Sequence, residues 1–103
     1  EGFLIEQTAA LERLAHPGSQ LCFYRTHAGA EVDLLVDRGQ ERIGYEFKCG
    51  ASVAAGDWAN LRRARDEGII HRGLVVYLGE REFPGADGIL VRPAADMLLH
   101  YGD

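Results

Sequence analysis

Residues 23–50 read FYRTHAGAEVDLLVDRGQERIGYEFKCG, and the fold is predicted from this stretch. Two strand-like runs, residues 31–36 and 42–48, flank residues 37–40, whose composition is typical of a turn. Side chains alternate between the two faces of a strand, so Glu46 and Lys48 share one face of the second run. The stretch therefore predicts a β-hairpin that carries charged side chains where a buried strand has apolar ones.

The length of the turn decides whether the charged faces of the two strands coincide. A two-residue turn at Arg38-Gly39, or a four-residue turn, is expected to give one set of pairs. These are Asp37 with Gln40, Asp33 with Gly44, and Glu31 with Glu46. Asp33, Glu46 and Lys48 then lie on one face, with the two carboxylates diagonal and roughly 7 Å apart at Cβ. A three- or five-residue turn would separate them, because a slip of one residue exchanges the faces.

Two carboxylates this close repel each other unless a cation lies between them. Oxygen ligands alone suit a hard cation, so Asp33 and Glu46 predict Mg²⁺ or Mn²⁺ rather than Zn²⁺. Lys48 points the same way and can orient an attacking water or stabilise charge on a phosphate. Glu31 is expected to assist, and Glu6 on the first helix is either a boundary residue in water or a further acid that leans toward the sheet. His27, in a turn, is predicted to be solvated rather than a ligand.

Asp33, the hairpin and Glu46-Phe47-Lys48 together resemble the D…(D/E)xK signature of the PD-(D/E)XK nuclease superfamily. The longer phrase of residues 23–50 is similar to a domain of unknown function found C-terminal to AAA-type ATPase modules in bacteria and archaea. The similarity extends from the first helix to about Pro93. One departure is Val32, which stands where the superfamily signature has a proline.

The resemblance implies an α/β restriction-endonuclease-like core, a mixed sheet flanked by helices. It implies that Asp33 and Glu46 are catalytic, metal-binding acids and that Lys48 is the catalytic lysine. The superfamily often adds an acid from the first helix, and Glu6 corresponds to it. The implied substrate is DNA, and the implied partner is an AAA-type ATPase module in the same full-length chain.

The remaining patterns predict the element order α-β-β-β-α-β-β-α. The predicted helices are residues 3–15, 57–67 and 93–100, and the predicted strands are residues 21–26, 31–36, 42–48, 73–78 and 89–91. The apolar stripe of the first helix is expected to comprise Phe3, Leu4, Ala10, Leu11 and Leu14. Residues 73–78 are apolar throughout, which is typical of a central strand covered on both faces. This strand follows a helix, so we expect a parallel crossover connection to the hairpin.

The second helix carries a basic cluster, Arg62, Arg63 and Arg65. One interpretation is a solvated face with i,i+4 pairs from Arg62 to Asp66 and from Arg63 to Glu67. The other is phosphate contact by Arg62 and Arg63 beside the carboxylates.

Composition limits these interpretations. The 103 residues suffice for one domain, residues 1–103, and the net charge of −5 disfavours broad nucleic-acid affinity without a partner that supplies positive charge. No apolar run is long enough to span a membrane. Cys22 and Cys49 are predicted to be core residues in a reducing cytoplasm. The chain does not begin with Met, so we expect a C-terminal piece of a longer, ATPase-containing protein.

Two functions remain open from the sequence. One is a metal-dependent nuclease. The other is a catalytically weak nuclease-fold module that binds or regulates an ATPase, in which Lys48 only neutralises Asp33 and Glu46. The oligomeric state is not indicated.

Overall fold

The computed structural model describes residues 2–25, 31–86 and 88–101, so Thr26, predicted to end the first strand, and His27 lie outside the described residues. The helices are α1 (Gly2–Ala15), α2 (Ala59–Asp66) and α3 (Ala94–Leu99), and a 3-10 turn (Ala55–Trp58) leads directly into α2. The strands are β1 (Gln20–Arg25), β2 (Glu31–Asp37), β3 (Arg42–Phe47), β4 (Arg72–Tyr77), β5 (Phe83–Ala86) and β6 (Ile89–Pro93). Within the described chain, no helix has the length and apolar character needed to cross a membrane.

All of these strands join in one mixed sheet, in the order β1-β2-β3-β4-β6-β5. β1, β2 and β3 pair antiparallel, and β3 pairs parallel with β4 through the predicted helical crossover. The predicted element order is wrong because β5 lies in residues 79–88, which were expected to form a loop. Its Pro84 and Gly85 are typical turn residues, but an edge strand tolerates proline because its outer side makes no ladder hydrogen bonds.

The β2–β3 turn spans residues 38–41 and is closed by a hydrogen bond from the Arg38 N–H to the Glu41 carbonyl, 2.9 Å long. The pairs that it sets include Leu35 with Gly44, Val36 with Ile43, and Asp37 with Arg42. The predicted pairs of Asp33 with Gly44 and of Asp37 with Gln40 are therefore wrong by two residues, and the observed β2–β3 pairing ends at Leu34 and Tyr45, before the predicted pair of Glu31 with Glu46. The prediction erred because a four-residue turn shifts the pairing of a two-residue turn while it preserves the faces.

Two hydrophobic cores fill the opposite faces of the sheet. β4 shows the division, because Leu74 and Val76 pack in one core while Val75 and Tyr77 pack in the other. The first core lies under α1 and α3, and the second lies under α2. The prediction of a central strand covered on both faces is thus confirmed.

Glycines in the sheet allow α2 to approach closely. A Cβ atom on Gly44 would lie 3.0 Å from Ile70 Cδ1 and 3.1 Å from Leu61 Cδ2. α2 then stops at Gly68, whose φ of 78° is the left-handed conformation expected after a helix end. Since Gly44 faces α2, the side chains at alternate positions along β3 also lie on the α2 side.

The buried face of α1 differs from the predicted stripe. Its buried residues are Leu4, Thr8, Ala9 and Glu12, whereas Phe3 and Leu14 are 69% and 81% exposed. The apolar pattern misled the prediction because two of the buried positions, Thr8 and Glu12, are polar.

The Glu12 side chain is completely buried and fully hydrogen-bonded. Arg38 donates to both carboxylate oxygens, from Nε to Oε2 at 2.9 Å and from Nη2 to Oε1 at 2.8 Å. The hydroxyls of Ser19 and Tyr101 also donate to Glu12. Burial alone would raise the Glu12 pKa, but these hydrogen bonds and the Arg38 charge lower it to about 2. We call Glu12, Arg38, Ser19 and Tyr101 the Glu12 network. It ties α1 to the β2–β3 turn and the C-terminus.

The two cysteines are not core residues. Both Cys22 and Cys49 are exposed, which corrects the prediction. Cys22 lies on β1, an edge strand, and Cys49 follows the end of β3, so both lie at the margin of the sheet.

Candidate functional site

The predicted acids and the lysine meet where β3 ends. Glu46 alternates with Gly44 and therefore lies on the α2 side, half-buried. Lys48 follows β3, and its backbone N–H donates to the Val76 carbonyl at 2.8 Å, which continues the pairing with β4. Regular backbone pairing thus positions both charged side chains.

Asp33 is fixed to the same end of β3. Its Oδ2 accepts a hydrogen bond of 2.9 Å from the backbone N–H of Phe47. Phe47 directly follows Glu46, so this hydrogen bond holds the Asp33 carboxylate at the end of β3 that carries Glu46.

Lys48 is held in its charged form by its surroundings. Burial disfavours the ammonium, but a hydrogen bond to Asp57 and the charges of Asp57, Glu46 and Asp33 together raise the Lys48 pKa above its usual value. The Lys48 Nζ lies 3.4 Å from Asp57 Oδ1, and both side chains are about one-third exposed. We call Asp33, Glu46, Lys48 and Asp57 the β3-end cluster.

Asp57 is the member of this cluster that the sequence did not assign to the site. It was predicted only as a helix-starting residue, and its Oδ2 does accept a 2.8 Å hydrogen bond from the Ala54 N–H. That hydrogen bond and Lys48 lower the Asp57 pKa. Because Asp57 is nine residues from Lys48 in a segment without strand pattern, no local spacing signalled the contact.

Glu6 does not join the β3-end cluster. It is exposed on α1 and lines a groove with Ile5, Leu21 and Leu34, which belong to or pack against the core under α1. The sheet therefore separates Glu6 from Asp33 and Glu46. Glu31, at the start of β2, is also exposed.

The cluster offers few ligands for a metal. In residues 2–25, 31–86 and 88–101, no three or more histidine, cysteine, aspartate or glutamate side chains are grouped so as to hold one. The candidate ligands are two carboxylates, those of Asp33 and Glu46. One oxygen of Asp33 already accepts the hydrogen bond from the Phe47 N–H. Mg²⁺ is commonly bound by one or two carboxylates together with water and substrate phosphates, so this donor set fits such an ion.

Arg62 and Arg63 are exposed on α2, next to the 3-10 turn that contains Asp57. They line a shallow surface cavity of about 300 Å³ with Trp58, Ala59 and Asp66. Arg65 is occupied differently, because its Nε donates to the His71 carbonyl at 3.2 Å. Arg62 and Arg63 therefore remain the predicted phosphate contacts.

Comparison with known proteins gives the chain a family. Residues 1–97 match the family described as Domain of unknown function (DUF4143). The uncharacterized proteins Mb2031c of Mycobacterium bovis and Rv2008c of Mycobacterium tuberculosis are each 35% identical over 98 residues. These matches cover 95% of this chain but 21% of either relative, and no solved structure matches. The chain belongs to the DUF4143 family.

Proposed function

We propose that this domain supplies a Mg²⁺- or Mn²⁺-dependent phosphodiester-hydrolysing site that acts on DNA within a longer protein. The observation that carries the proposal is the meeting of Asp33, Glu46 and Lys48 at one end of β3, where Asp33 accepts from the Phe47 N–H and the charges of both acids act on Lys48. This spatial grouping supports the PD-(D/E)XK resemblance and, with it, a restriction-endonuclease-like core.

Each residue of the β3-end cluster has a proposed role. Asp33 and Glu46 hold the cation, and the backbone N–H of Phe47 keeps the Asp33 carboxylate oriented. Lys48, kept charged by its three acidic neighbours, stabilises negative charge on the phosphate and orients the attacking water. When bound by Asp33 and Glu46, the cation would supply Lewis-acid chemistry, which polarises phosphate and makes water a better nucleophile. Asp57 positions Lys48 through their ion pair.

DNA contact needs positive charge that the chain lacks overall, since its net charge is −5. Arg62 and Arg63 provide a local contribution on the exposed face of α2. We propose that the rest of the full-length protein, in which we expect an AAA-type ATPase module, supplies the remaining DNA-binding surface. The chain spans about one-fifth of the length of its curated relatives, 21%, which leaves room for such a module. A cytoplasmic location stays a prediction.

A cleavage assay on the full-length protein tests the proposal. With Mg²⁺ or Mn²⁺ present, we expect cleavage of DNA that Glu46→Gln and Lys48→Ala each reduce by at least roughly 100-fold. Glu67→Gln, an equal change at an exposed position after α2, is the matched control and should cleave at the wild-type rate. Equal rates in Lys48→Ala and wild type would refute the role of Lys48.

Metal binding is tested separately by thermal unfolding with Mn²⁺. A cation relieves the repulsion between Asp33 and Glu46, so Mn²⁺ should raise the melting temperature of the wild type but not of Glu46→Ala. The same experiment with Glu6→Ala decides whether Glu6 takes part. Its position beyond the sheet predicts a full Mn²⁺ effect in that variant. An equal Mn²⁺ effect in Glu46→Ala and wild type would contradict the metal site.

A second candidate function is a regulatory module that docks on the ATPase. The observation in its favour is that Lys48 is already paired with Asp57 and Asp33 is already bound by a backbone N–H, as in a structural ion cluster. This candidate predicts no DNA cleavage, no Mn²⁺ stabilisation, and altered ATPase activity when the domain is deleted. Under either function, the isolated domain should bind DNA weakly, and a salt titration of binding compared with the full-length protein measures this.

A further inference from the structure

A cavity of about 330 Å³ lies on the side of the sheet opposite the β3-end cluster. Its floor is made by neighbouring strands, with Tyr45 on β3, Arg72 on β4 and Arg92 on β6. Arg38 and Tyr101 close its side, Glu82 adds a carboxylate, and leucine and methionine side chains supply the apolar part of the lining. A mixed lining of this volume is typical of small-molecule sites.

The positive charges in this lining have unequal partners. Arg38 is bound bidentately by the buried Glu12 and is neutralised. Arg72 instead pairs with Glu41, from Nε to Oε2 at 3.2 Å and from Nη2 to Oε1 at 3.4 Å, and Arg92 Nε lies 3.3 Å from Glu82 Oε1. The side chains of Glu41 and Glu82 are 41% and 49% exposed. Ion pairs with such exposed partners are weak and screened by solvent, so a ligand phosphate can compete with Glu41 and Glu82 for the two guanidinium groups.

Arg92 also has an unmet donor. Its Nε is buried and forms no hydrogen bond, although Glu82 Oε1 lies nearby without suitable alignment. Buried donors are nearly always satisfied, so an orphaned one at a cavity wall needs an explanation. A phosphate oxygen that takes the place of the Glu82 carboxylate with better alignment would satisfy it with a charge-assisted hydrogen bond.

The neighbouring phenols do not oppose an anion. Burial raises the pKa of both Tyr45 and Tyr101, so both stay neutral near pH 7. The Tyr101 hydroxyl donates to Glu12, and the two phenol oxygens lie 3.3 Å apart. The rings therefore provide neutral surface beside the arginines.

We propose that this cavity binds a small phosphate monoester, with its phosphate on Arg72 and Arg92 and its organic group against the apolar lining. A phosphate monoester carries a charge of about −1.5 to −2 at pH 7, which matches two guanidinium groups. Guanidinium forks bind phosphate oxygens bidentately. The site is independent of the β3-end cluster, because the sheet lies between them.

Calorimetric titration of the full-length protein with phenyl phosphate tests the site. This probe avoids nucleotides, which an ATPase module would bind. Arg92→Gln and Arg72→Gln should each weaken binding at least tenfold, equivalent to about 1.4 kcal/mol. Arg81→Gln, an equal change of charge at an exposed neighbouring position, is the control and should bind like the wild type. Equal affinity in Arg92→Gln and Arg81→Gln, or no binding by the wild type at millimolar probe, would overturn the proposal.

Glu82→Gln gives an independent measurement if the arginine variants do not fold. It removes the carboxylate that competes for Arg92, at a side chain that is 49% exposed, so phenyl phosphate should bind severalfold more tightly. Glu80→Gln, outside the cavity, should leave the affinity unchanged. Unchanged or weaker binding in Glu82→Gln would contradict the site. Inorganic phosphate and a 5′-phosphorylated oligonucleotide are titrated in parallel. Binding of the oligonucleotide without phenyl phosphate would show a nucleic-acid contact and overturn the small-molecule site.

Discussion

The two faces of the sheet hold their charged side chains under different conditions. On the α1 side, Glu12 has no exposed side-chain surface, and its two oxygens receive hydrogen bonds from Arg38, Ser19 and Tyr101. On the α2 side, Lys48 and Asp57 are each about one-third exposed and share an ion pair of 3.4 Å. The Glu12 network is closed, whereas the β3-end cluster is open to solvent.

This difference separates stability from reactivity. Burying a carboxylate is costly, so the Glu12 network holds the fold together only while every partner is present. Partly exposed charges keep most of their hydration and exchange partners easily. The β3-end cluster can therefore accept a cation or a phosphate. We therefore expect substitutions in the Glu12 network to change the free energy of unfolding and those in the β3-end cluster to change ligand binding.

The largest expected effect is that of Glu12→Ala, which should lower the free energy of unfolding by about 3–5 kcal/mol. The loss arises because Arg38, mostly buried, would keep its charge without a carboxylate. Chemical denaturation of the domain measures it. Glu6→Ala is the matched control on the exposed side of the same helix and should change stability by less than about 0.5 kcal/mol. Similar losses in the two variants would break the comparison.

The second-largest effect is expected from acid, which should weaken the Glu12 network. The Glu12 pKa is about 2 in the folded protein and about 4.5 ordinarily, so the unfolded chain takes up the proton first. The stabilisation is present above the ordinary pKa and is lost as pH falls from about 5 to about 2, and it amounts to roughly 3 kcal/mol. Denaturation curves across this range should show a smaller pH dependence in Glu12→Ala. An identical dependence would assign the acid sensitivity to other groups.

Tyr101→Phe should have a smaller effect on the free energy of unfolding, and it allows the two faces of the sheet to be compared. It removes one hydrogen bond to the charged Glu12 and should cost about 1.5–2 kcal/mol of unfolding free energy. Tyr77→Phe, on the other face, removes two hydrogen bonds with the neutral Arg81 backbone, one to its carbonyl at 2.6 Å and one from its N–H at 3.2 Å. Because Arg81 is exposed, its backbone groups regain water, and the change should cost about 1 kcal/mol. If Tyr77→Phe proved the more damaging of the two, the Glu12 network would not be the stronger anchor.

The smallest expected effect on stability is that of Asp57→Asn, below about 1 kcal/mol, because the ion pair with Lys48 is partly exposed. The asparagine oxygen can still accept the Ala54 N–H, so the start of the 3-10 turn is preserved. The Lys48 pKa should fall toward its usual value, which NMR titration measures. A loss of several kcal/mol would place the β3-end cluster among the structural networks.

The sequence by itself determined the elements whose signals are local. Alternating residues around a turn gave the β2–β3 hairpin, and the all-apolar residues 73–78 gave the central strand β4, paired parallel to β3. The same alternation put Glu46 and Lys48 on one side of β3. These features depend on neighbours a few residues apart, and an even-numbered turn of either length preserves the faces.

Only the tertiary structure decided the contacts between distant segments. β5 became a strand through pairing with β6, despite its proline and glycine. The partners of Glu12 lie 26 residues away in Arg38 and 89 residues away in Tyr101, so its helical position suggested an exposed acid. Asp57 contacts Lys48 because the segment that connects β3 to α2 lies beside the end of β3 in the folded chain. No periodic sequence pattern predicts such contacts. Their strength comes from burial and from charges that lie close together only in the folded chain.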